Sequence, residues 1–196
     1  MKRQIRRNVF ETNSSSTHSI AIPRHTEGKY PNVVHFGIGE FGWSFDEVYN
    51  TADYLYTAIL TFYSDDVDKM EQKLDFLKST LDSRDIRYTF EEPKWYYFQN
   101  NQEYKSLDNG YIDHSNELGE FMSAVFSSET TLLDFIFFGI VITGNDNSEN
   151  PGFLERTEKT VWSDEETADG GWKETKIPNP YYDEKYEEYD WYYKGN

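Results

Sequence analysis

Residues 6–19 read Arg6-Arg7-Asn8-Val9-Phe10-Glu11-Thr12-Asn13-Ser14-Ser15-Ser16-Thr17-His18-Ser19, with a hydrogen-bonding side chain at nearly every position. The run has neither the alternating apolar residues of a half-buried strand nor the apolar spacing of an amphipathic helix. Its polar part is bordered by apolar residues, Val9 and Phe10 on one side and residues 20–22 on the other. We therefore predict a strand over residues 4–10, a polar loop that presents a site, and a second strand over residues 19–22 that Pro23 ends.

Two longer helices are predicted from apolar side chains at helical spacing. The first covers residues 47–63, is capped by Ser44 or Asp46, and has one apolar face made by Val48, Ala52, Leu55, Ile59 and Phe62. The second begins at Asp65 or Asp66 and repeats the spacing with Val67, Met70, Leu74, Leu77 and Leu81. The joint between the two is short, so we predict an antiparallel helix pair.

The remaining elements are short. We predict strands over residues 32–36, 87–90, 95–98 and 140–143, and helices over residues 118–125 and 131–138, the last of these ended by Gly139. Two of the strands are predicted to flank a turn at residues 91–94, where Pro93 favours a sheet edge. This order indicates an α+β fold, in which a small antiparallel or mixed sheet packs against the helix pair and the shorter helices.

The chain divides by composition into two parts. Residues 1–147 are predicted to form the α+β core domain, and residues 148–196 an acidic, aromatic, loop-rich C-terminal segment. From residue 145 onward, fourteen acidic residues stand against six basic ones, and aromatic residues are interleaved with the carboxylates. Purely acidic tails lack such aromatics. Two alternatives are open for this segment: it packs on the core, or it clamps a partner.

The charge of the chain is large and unevenly distributed. The net charge is −17, yet residues 1–30 carry six cations against two acids, so that residues 31–196 sum to −21. A body this negative repels phosphates at long range and favours basic partners, so we predict no direct binding of nucleic acid. No cysteine is present, which excludes disulfides and thiolate metal sites. No secretory signal or membrane-spanning run is recognised, and we expect a soluble protein in the cytoplasm of a host cell.

The polar loop is a candidate anion site. Consecutive small polar residues can aim backbone N–H groups into one concavity, and the predicted phosphate-binding residues are Arg6, Arg7, Asn13, Ser14, Ser15, Ser16, Thr17 and His18. If the protein is an enzyme, Glu11 and His18 are the candidate base and acid and Ser15 the candidate nucleophile. The alternative is a connector whose serine and threonine side chains cap its own backbone.

The four histidines do not indicate a metal site. His18, His25, His35 and His114 lack a spacing typical of ligands to zinc. We therefore predict no metal and no cofactor.

The block at residues 6–19 resembles the opening of a group of uncharacterised proteins from phages and prophage-bearing bacteria. A second run, Thr143-Gly144-Asn145-Asp146, is similar to a block near the C-terminal third of those proteins. The group carries no established activity. The resemblance implies an origin in a mobile element and a fixed role for the loop.

The acidity exceeds what solubility requires, since a net charge of about 2–8 in magnitude suffices for a small domain. We predict a phage-encoded inhibitor of a basic host defence protein that binds nucleic acid, of the anti-CRISPR or anti-restriction type, with carboxylates in place of phosphates and aromatic rings in place of bases. The predicted contact residues are Asp164, Glu165, Glu166, Tyr181, Tyr182, Glu187, Glu188, Tyr189, Asp190 and Trp191. The alternatives are generic solubility, a virion or assembly component, and a phosphate- or nucleotide-binding enzyme or ligand module built on the polar loop.

Overall fold

The structure, a computed structural model, describes residues 16–24, 26–42, 46–47, 50–97, 105–145, 154–166 and 172–194. The strands are β1 (Ser16–Pro23), β2 (Val33–Phe36), β3 (Glu40–Phe41), β4 (Asp46–Glu47), β5 (Arg87–Phe90), β6 (Trp95–Tyr97), β7 (Lys105–Leu107), β8 (Tyr111–Ile112), β9 (Ile140–Asn145), β10 (Glu158–Glu166), β11 (Trp172–Pro178) and β12 (Tyr189–Lys194). The helices are α1 (Thr51–Phe62), α2 (Val67–Asp82), α3 (Gly119–Val125) and α4 (Glu129–Phe138), with 3₁₀ turns at Ser115–Leu118 and Glu184–Glu188. The fold is α+β, as predicted. The predicted strand at residues 4–10 lies outside the described residues.

The largest sheet described has the strand order β12-β1-β9-β4, with β1 antiparallel to both of its neighbours. Strand β1 begins at Ser16, three residues earlier than predicted. The reason is backbone pairing, because Ser16 lies opposite Asn145 of β9 and His18 lies opposite Lys194 of β12. Paired main-chain groups draw these polar residues into the strand, although their side chains alone predict a loop.

Helix α1 is the most deeply buried helix described, and it contacts α2 and α4. Nine of its twelve residues are buried. It begins later than predicted because Asn50 accepts a hydrogen bond from the Ala52 amide, so that Asn50 is the N-cap rather than Ser44 or Asp46. The predicted start at residue 47 is therefore wrong.

Helix α2 begins after Asp66, as one of the two predicted caps requires, and Asp66 accepts from the Lys69 amide at 3.1 Å. Met70, Leu77 and Leu81 of the predicted apolar face are buried, whereas Val67 is 43% exposed. The helix is therefore a surface helix that packs mainly through its second half. No one helix in the described ranges is long and apolar enough to cross a membrane.

The strands on either side of residues 91–94 do not pair with each other. Strand β5 pairs in parallel with β2, while β6 pairs with β7 in a separate sheet. The pairing of β5 with β2 is continued at both ends, where the Arg87 amide donates to Asn32 and the Glu91 amide donates to Phe36. Residues 91–94 thus connect two sheets instead of forming a hairpin turn.

The predicted helices at residues 118–125 and 131–138 are present as α3 and α4. Helix α4 begins two residues earlier than predicted, because Ser128 caps it by accepting from the Thr131 amide. The helix ends at Gly139, whose backbone is extended. A larger residue would not fit there, since its Cβ atom would lie 2.5 Å from the carbonyl oxygen of Phe135. Strand β9 follows directly, which brings the end of α4 to the middle of the sheet.

The segment was predicted to be loop-rich, but its described ranges, 154–166 and 172–194, consist largely of strands. Strands β10 and β11 pair as an antiparallel ladder with an irregularity between Trp162 and Glu166. Strand β12 pairs with β1 over its whole length. The last strand of the described chain therefore belongs to the same sheet as the first. The division into domains at residue 147 stays a prediction.

Candidate functional site

The described part of the polar block lies in the core. Alternate residues of a strand point to the same face, and Ser16 and His18 share theirs with Ile20 and Ile22, which pack in the hydrophobic core. Ser16 is 0% exposed and His18 is 1% exposed. The prediction that Ser16, Thr17 and His18 sit in a loop is therefore wrong.

His18 is paired with a tyrosine of α1. Its Nδ1 atom shares a hydrogen bond of 2.7 Å with the Tyr54 hydroxyl, and the two rings meet edge to face with centroids 5.7 Å apart. The Tyr54 ring also meets Phe41 and Phe121 edge to face. Burial raises the pKa of Tyr54 well above its ordinary value, so its hydroxyl stays neutral at ordinary pH. The pair links the sheet to the helix.

His18 is therefore a buried structural residue and not an exposed proton donor. The other residues of the predicted anion site, namely Arg6, Arg7, Glu11, Asn13, Ser14 and Ser15, lie outside the described residues. The phosphate-binding hypothesis stays a prediction for those residues.

The predicted contact residues of the C-terminal segment fall into two groups. Asp164, Glu165 and Glu166 belong to β10, which pairs with β11. The group from Tyr181 to Trp191 lies around the 3₁₀ turn and along β12, in the larger sheet. The two groups are therefore in separate sheets. The second group forms the candidate site.

Three rings of β12 line one face of the sheet and form what we call the aromatic ladder, Tyr189, Trp191 and Tyr193. The Trp191 and Tyr193 rings are nearly parallel, with an interplanar angle of 7° and centroids 6.4 Å apart. The Tyr189 ring lies 6.4 Å from that of Trp191 on its other side. Because side chains alternate along a strand, this spacing of two residues is what aligns the rings.

Tyr186 completes the ladder from the 3₁₀ turn. Its ring contacts those of Tyr189 and Trp191, with centroids 6.0 and 6.2 Å apart, and its carbonyl oxygen accepts from the Trp191 indole at 3.0 Å. Tyr186 and Tyr193 were not among the predicted contact residues. The alternation Tyr-x-Trp-x-Tyr over residues 189–193 was the signal that identifies the ladder.

Four carboxylates lie on or beside the strand that carries the ladder and form what we call the acidic rim, Glu120, Glu187, Glu188 and Asp190. Asp190 alternates with the ladder residues and so points to the opposite face of β12, where Glu120 lies near Tyr192. Asp190 accepts from the Arg24 Nε atom at 2.7 Å, and Glu187 accepts from the Tyr182 hydroxyl at 2.8 Å. That hydrogen bond to Glu187 raises the pKa of Tyr182.

Helix α3 brings Glu120 to this rim. Phe121 of α3 packs against Tyr192 of β12, with ring centroids 6.4 Å apart. Burial, followed by the negative charges of Asp190 and Glu120, raises the pKa of Tyr192. The carboxylates of α3 and β12 therefore act on the same side chain.

Helix α3 belongs to a range of the sequence that carries acidic residues but no lysine or arginine. Residues 106–155 contain nine acidic residues and no lysine or arginine. Asp108, Glu117, Glu120 and Glu129 of this range are exposed. Helix α3 contacts β12, so part of this acidic range adjoins the strand that carries the ladder.

The far end of the ladder is held by residues that precede β10. The Tyr193 hydroxyl donates to Glu155, and burial together with this hydrogen bond raises the pKa of Tyr193. The neighbouring Leu154 is buried. Tyr193 nevertheless remains 37% exposed, so the ring is held in place and is accessible.

Two tyrosine rings of this segment lie next to lysine side chains of the same chain. The Lys185 Nζ atom lies 4.5 Å from the centroid of the Tyr186 ring, and Lys159 lies 5.8 Å from that of Tyr181. Both distances are within the range of cation–π attraction. The chemistry of the surface thus suits lysine and arginine side chains.

Across the ranges that the structure describes, no three histidine, aspartate or glutamate side chains are grouped as metal ligands would be. Comparison of the chain with protein-family models, with curated protein sequences and with solved structures finds no match.

Proposed function

We propose that this chain is an acidic interaction protein that binds a basic, nucleic-acid-binding protein and obstructs the surface where that protein holds nucleic acid. In its narrower form, the proposal makes the target a defence protein of a host cell and the chain a phage-encoded inhibitor of the anti-CRISPR or anti-restriction type. The observation that supports the proposal is that the aromatic ladder and the acidic rim share one strand and the turn before it.

The acidic rim and the aromatic ladder have complementary roles in such binding. A net charge of −17 attracts a basic partner over long distances and speeds the encounter. Aromatic side chains supply large contact areas and can stack on arginine, as nucleic-acid bases do. Carboxylates alone would supply the attraction without the contact area.

The first test is affinity capture from a host lysate with the double variant Glu187→Lys and Glu188→Lys. Both side chains are exposed, so the fold should be retained. We expect binding of the captured protein to weaken about tenfold, because each reversed charge at a rim changes binding by about 0.5–1 kcal/mol.

The matched control reverses two exposed charges of α2, Glu71→Lys and Asp75→Lys, and changes the net charge by the same amount. The proposal expects this variant to bind nearly as well as the wild type. Equal weakening of both variants would show that only net charge matters. The proposal would be refuted if neither variant weakened the capture, or if the captured protein did not bind nucleic acid.

A further inference from the structure

A lysine of the 3₁₀ turn before β12 lies over an aromatic ring of the same turn. The Lys185 Nζ atom is 4.5 Å from the centroid of the Tyr186 ring, and it forms an ion pair of 3.0 Å with the Oδ2 atom of Asp183. One cation of this chain therefore contacts both an aromatic ring and a carboxylate. These are also the two groups that a guanidinium group binds in proteins.

The ring and the carboxylate are held in place by contacts that do not involve the Lys185 ammonium. Asp183 caps the turn, since its Oδ1 atom accepts from the Lys185 amide at 3.0 Å and its carbonyl oxygen accepts from the Tyr186 amide at 2.9 Å. The Tyr186 ring packs against the rings of Tyr189 and Trp191. The Trp191 indole donates to the Tyr186 carbonyl oxygen at 3.0 Å. Both groups therefore keep their places when the ammonium leaves.

The contacts of the Lys185 ammonium are of a weak kind. The side chain of Lys185 is 62% exposed and that of Asp183 is 48% exposed, and exposed ion pairs and exposed cation–π contacts contribute little. Ammonium groups are also strongly hydrated, whereas the guanidinium group is weakly hydrated, stacks on aromatic rings and binds carboxylates with two parallel donors. An arginine side chain from another molecule can therefore compete with the ammonium for both groups.

The charge around the turn favours an incoming cation. Residues 177–193 contain five acidic residues and a single basic one, Lys185. When the ammonium turns away, the nearby carboxylates lose the cation that lies closest to them in sequence. Their negative potential then attracts a cation from outside.

We infer that Lys185 occupies, in the free protein, the place of an arginine side chain of the partner, and that binding displaces it. The arginine guanidinium group stacks on the Tyr186 ring and pairs with the Oδ2 atom of Asp183, while the Lys185 ammonium moves into solvent. This inference rests on the proposed function and specifies which chemical group of the partner is bound and where. It makes Lys185 a competitor of the partner, although the rest of the turn attracts it.

The first test follows Lys185 by NMR in the full-length protein. The probes are the Nα-acetyl amides of arginine and of citrulline, which has nearly the same planar shape as arginine but no charge. In the free protein, the ring current of Tyr186 should shift the ε-methylene signals of Lys185 upfield. We expect the arginine probe to move these signals to the position of an exposed lysine, and the citrulline probe to leave them unchanged. The inference is wrong if the arginine probe leaves the signals where they were.

The second test removes the competing ammonium with Lys185→Met. This variant should bind the arginine probe about two- to fivefold more tightly, the change that corresponds to release of one exposed cation–π contact. The matched control is Lys69→Met, because Lys69 forms an ion pair of 2.8 Å with Asp66, which caps α2 as Asp183 caps the turn. The control should bind the probe as the wild type does. Equal tightening of both variants, or tightening of neither, would overturn the inference.

Affinity capture with Lys185→Met separates this inference from the proposed function. If both hold, this variant captures the basic protein more strongly than the wild type does. If the wild type and Lys185→Met capture it equally, while reversal of Glu187 and Glu188 weakens capture, the proposed function stands and only the inference fails. If no protein that binds nucleic acid is captured by either, the proposed function fails, and the inference fails with it.

Discussion

Replacing Tyr54 by phenylalanine tests whether the polar N-terminal block is part of the core. The change removes a single hydroxyl, whose hydrogen bond to His18 Nδ1 measures 2.7 Å. Both residues are buried, so water does not replace the lost bond. Removing one partner of a buried hydrogen bond costs about 1–3 kcal/mol, and the ring contacts with Phe41 and Phe121 are retained.

The assay is urea denaturation followed by tryptophan fluorescence and circular dichroism, with a thermal scan in parallel. For a chain of this size, each 1 kcal/mol lowers Tm by about 2–4 °C. The control is Tyr182→Phe, which removes an exposed hydrogen bond to Glu187 and should change stability by no more than about 0.5 kcal/mol. If Tyr54→Phe is as stable as the control, His18 is not held in the core by this pair, and its assignment as a structural residue is wrong.

Three further predictions concern the packing and ionisation of the core. Asp134→Ala should lower the free energy of unfolding by about 1–3 kcal/mol, because two hydroxyls lose the carboxylate that accepts their hydrogen bonds. It should also lower the pKa of Tyr30 towards its ordinary value in an ultraviolet titration. Burial raises the pKa of Tyr54 in the folded state, so its contribution to stability is complete below the unfolded pKa of about 10 and is lost at higher pH. The urea concentration at the midpoint should therefore decrease as the pH is raised above about 10. Gly110→Ala should lower the free energy of unfolding by about 1–3 kcal/mol, since a Cβ there would lie 2.3 Å from an isoleucine methyl and 2.7 Å from a backbone carbonyl oxygen. The control is Gly119→Ala, whose Cβ would meet its nearest neighbour at 3.9 Å. In urea denaturation this variant should be as stable as the wild type or more stable.

Helices were predicted best where the signal is local. The start of α2 follows from Asp66 and the apolar spacing behind it, because a cap bonds to an amide only three residues away. The start of α1 was missed although its cap is equally local. The apolar spacing continues back to Val48, so the pattern favours a cap earlier in the chain than Asn50.

Strand pairing was predicted least well because it depends on distant parts of the chain. Strand β12 gains its partner from β1, with Arg24 and Asp190 forming an ion pair across 166 positions of sequence. Strand β5 pairs with β2 although α1 and α2 lie between them in the sequence. Periodicity identifies a strand but does not identify its neighbour. The alternating aromatic residues of the ladder can therefore be identified in the sequence, whereas the pairing of β12 with β1 cannot.

The measurement that tests the proposed function most directly is displacement of a labelled DNA or RNA duplex from the captured basic protein. The proposal predicts that the wild-type chain displaces the duplex, that higher salt weakens the displacement because the attraction is screened, and that the variant with both Glu187 and Glu188 reversed displaces it about tenfold less well. A ternary complex, in which the captured protein holds the chain and the duplex together at full affinity, would contradict it.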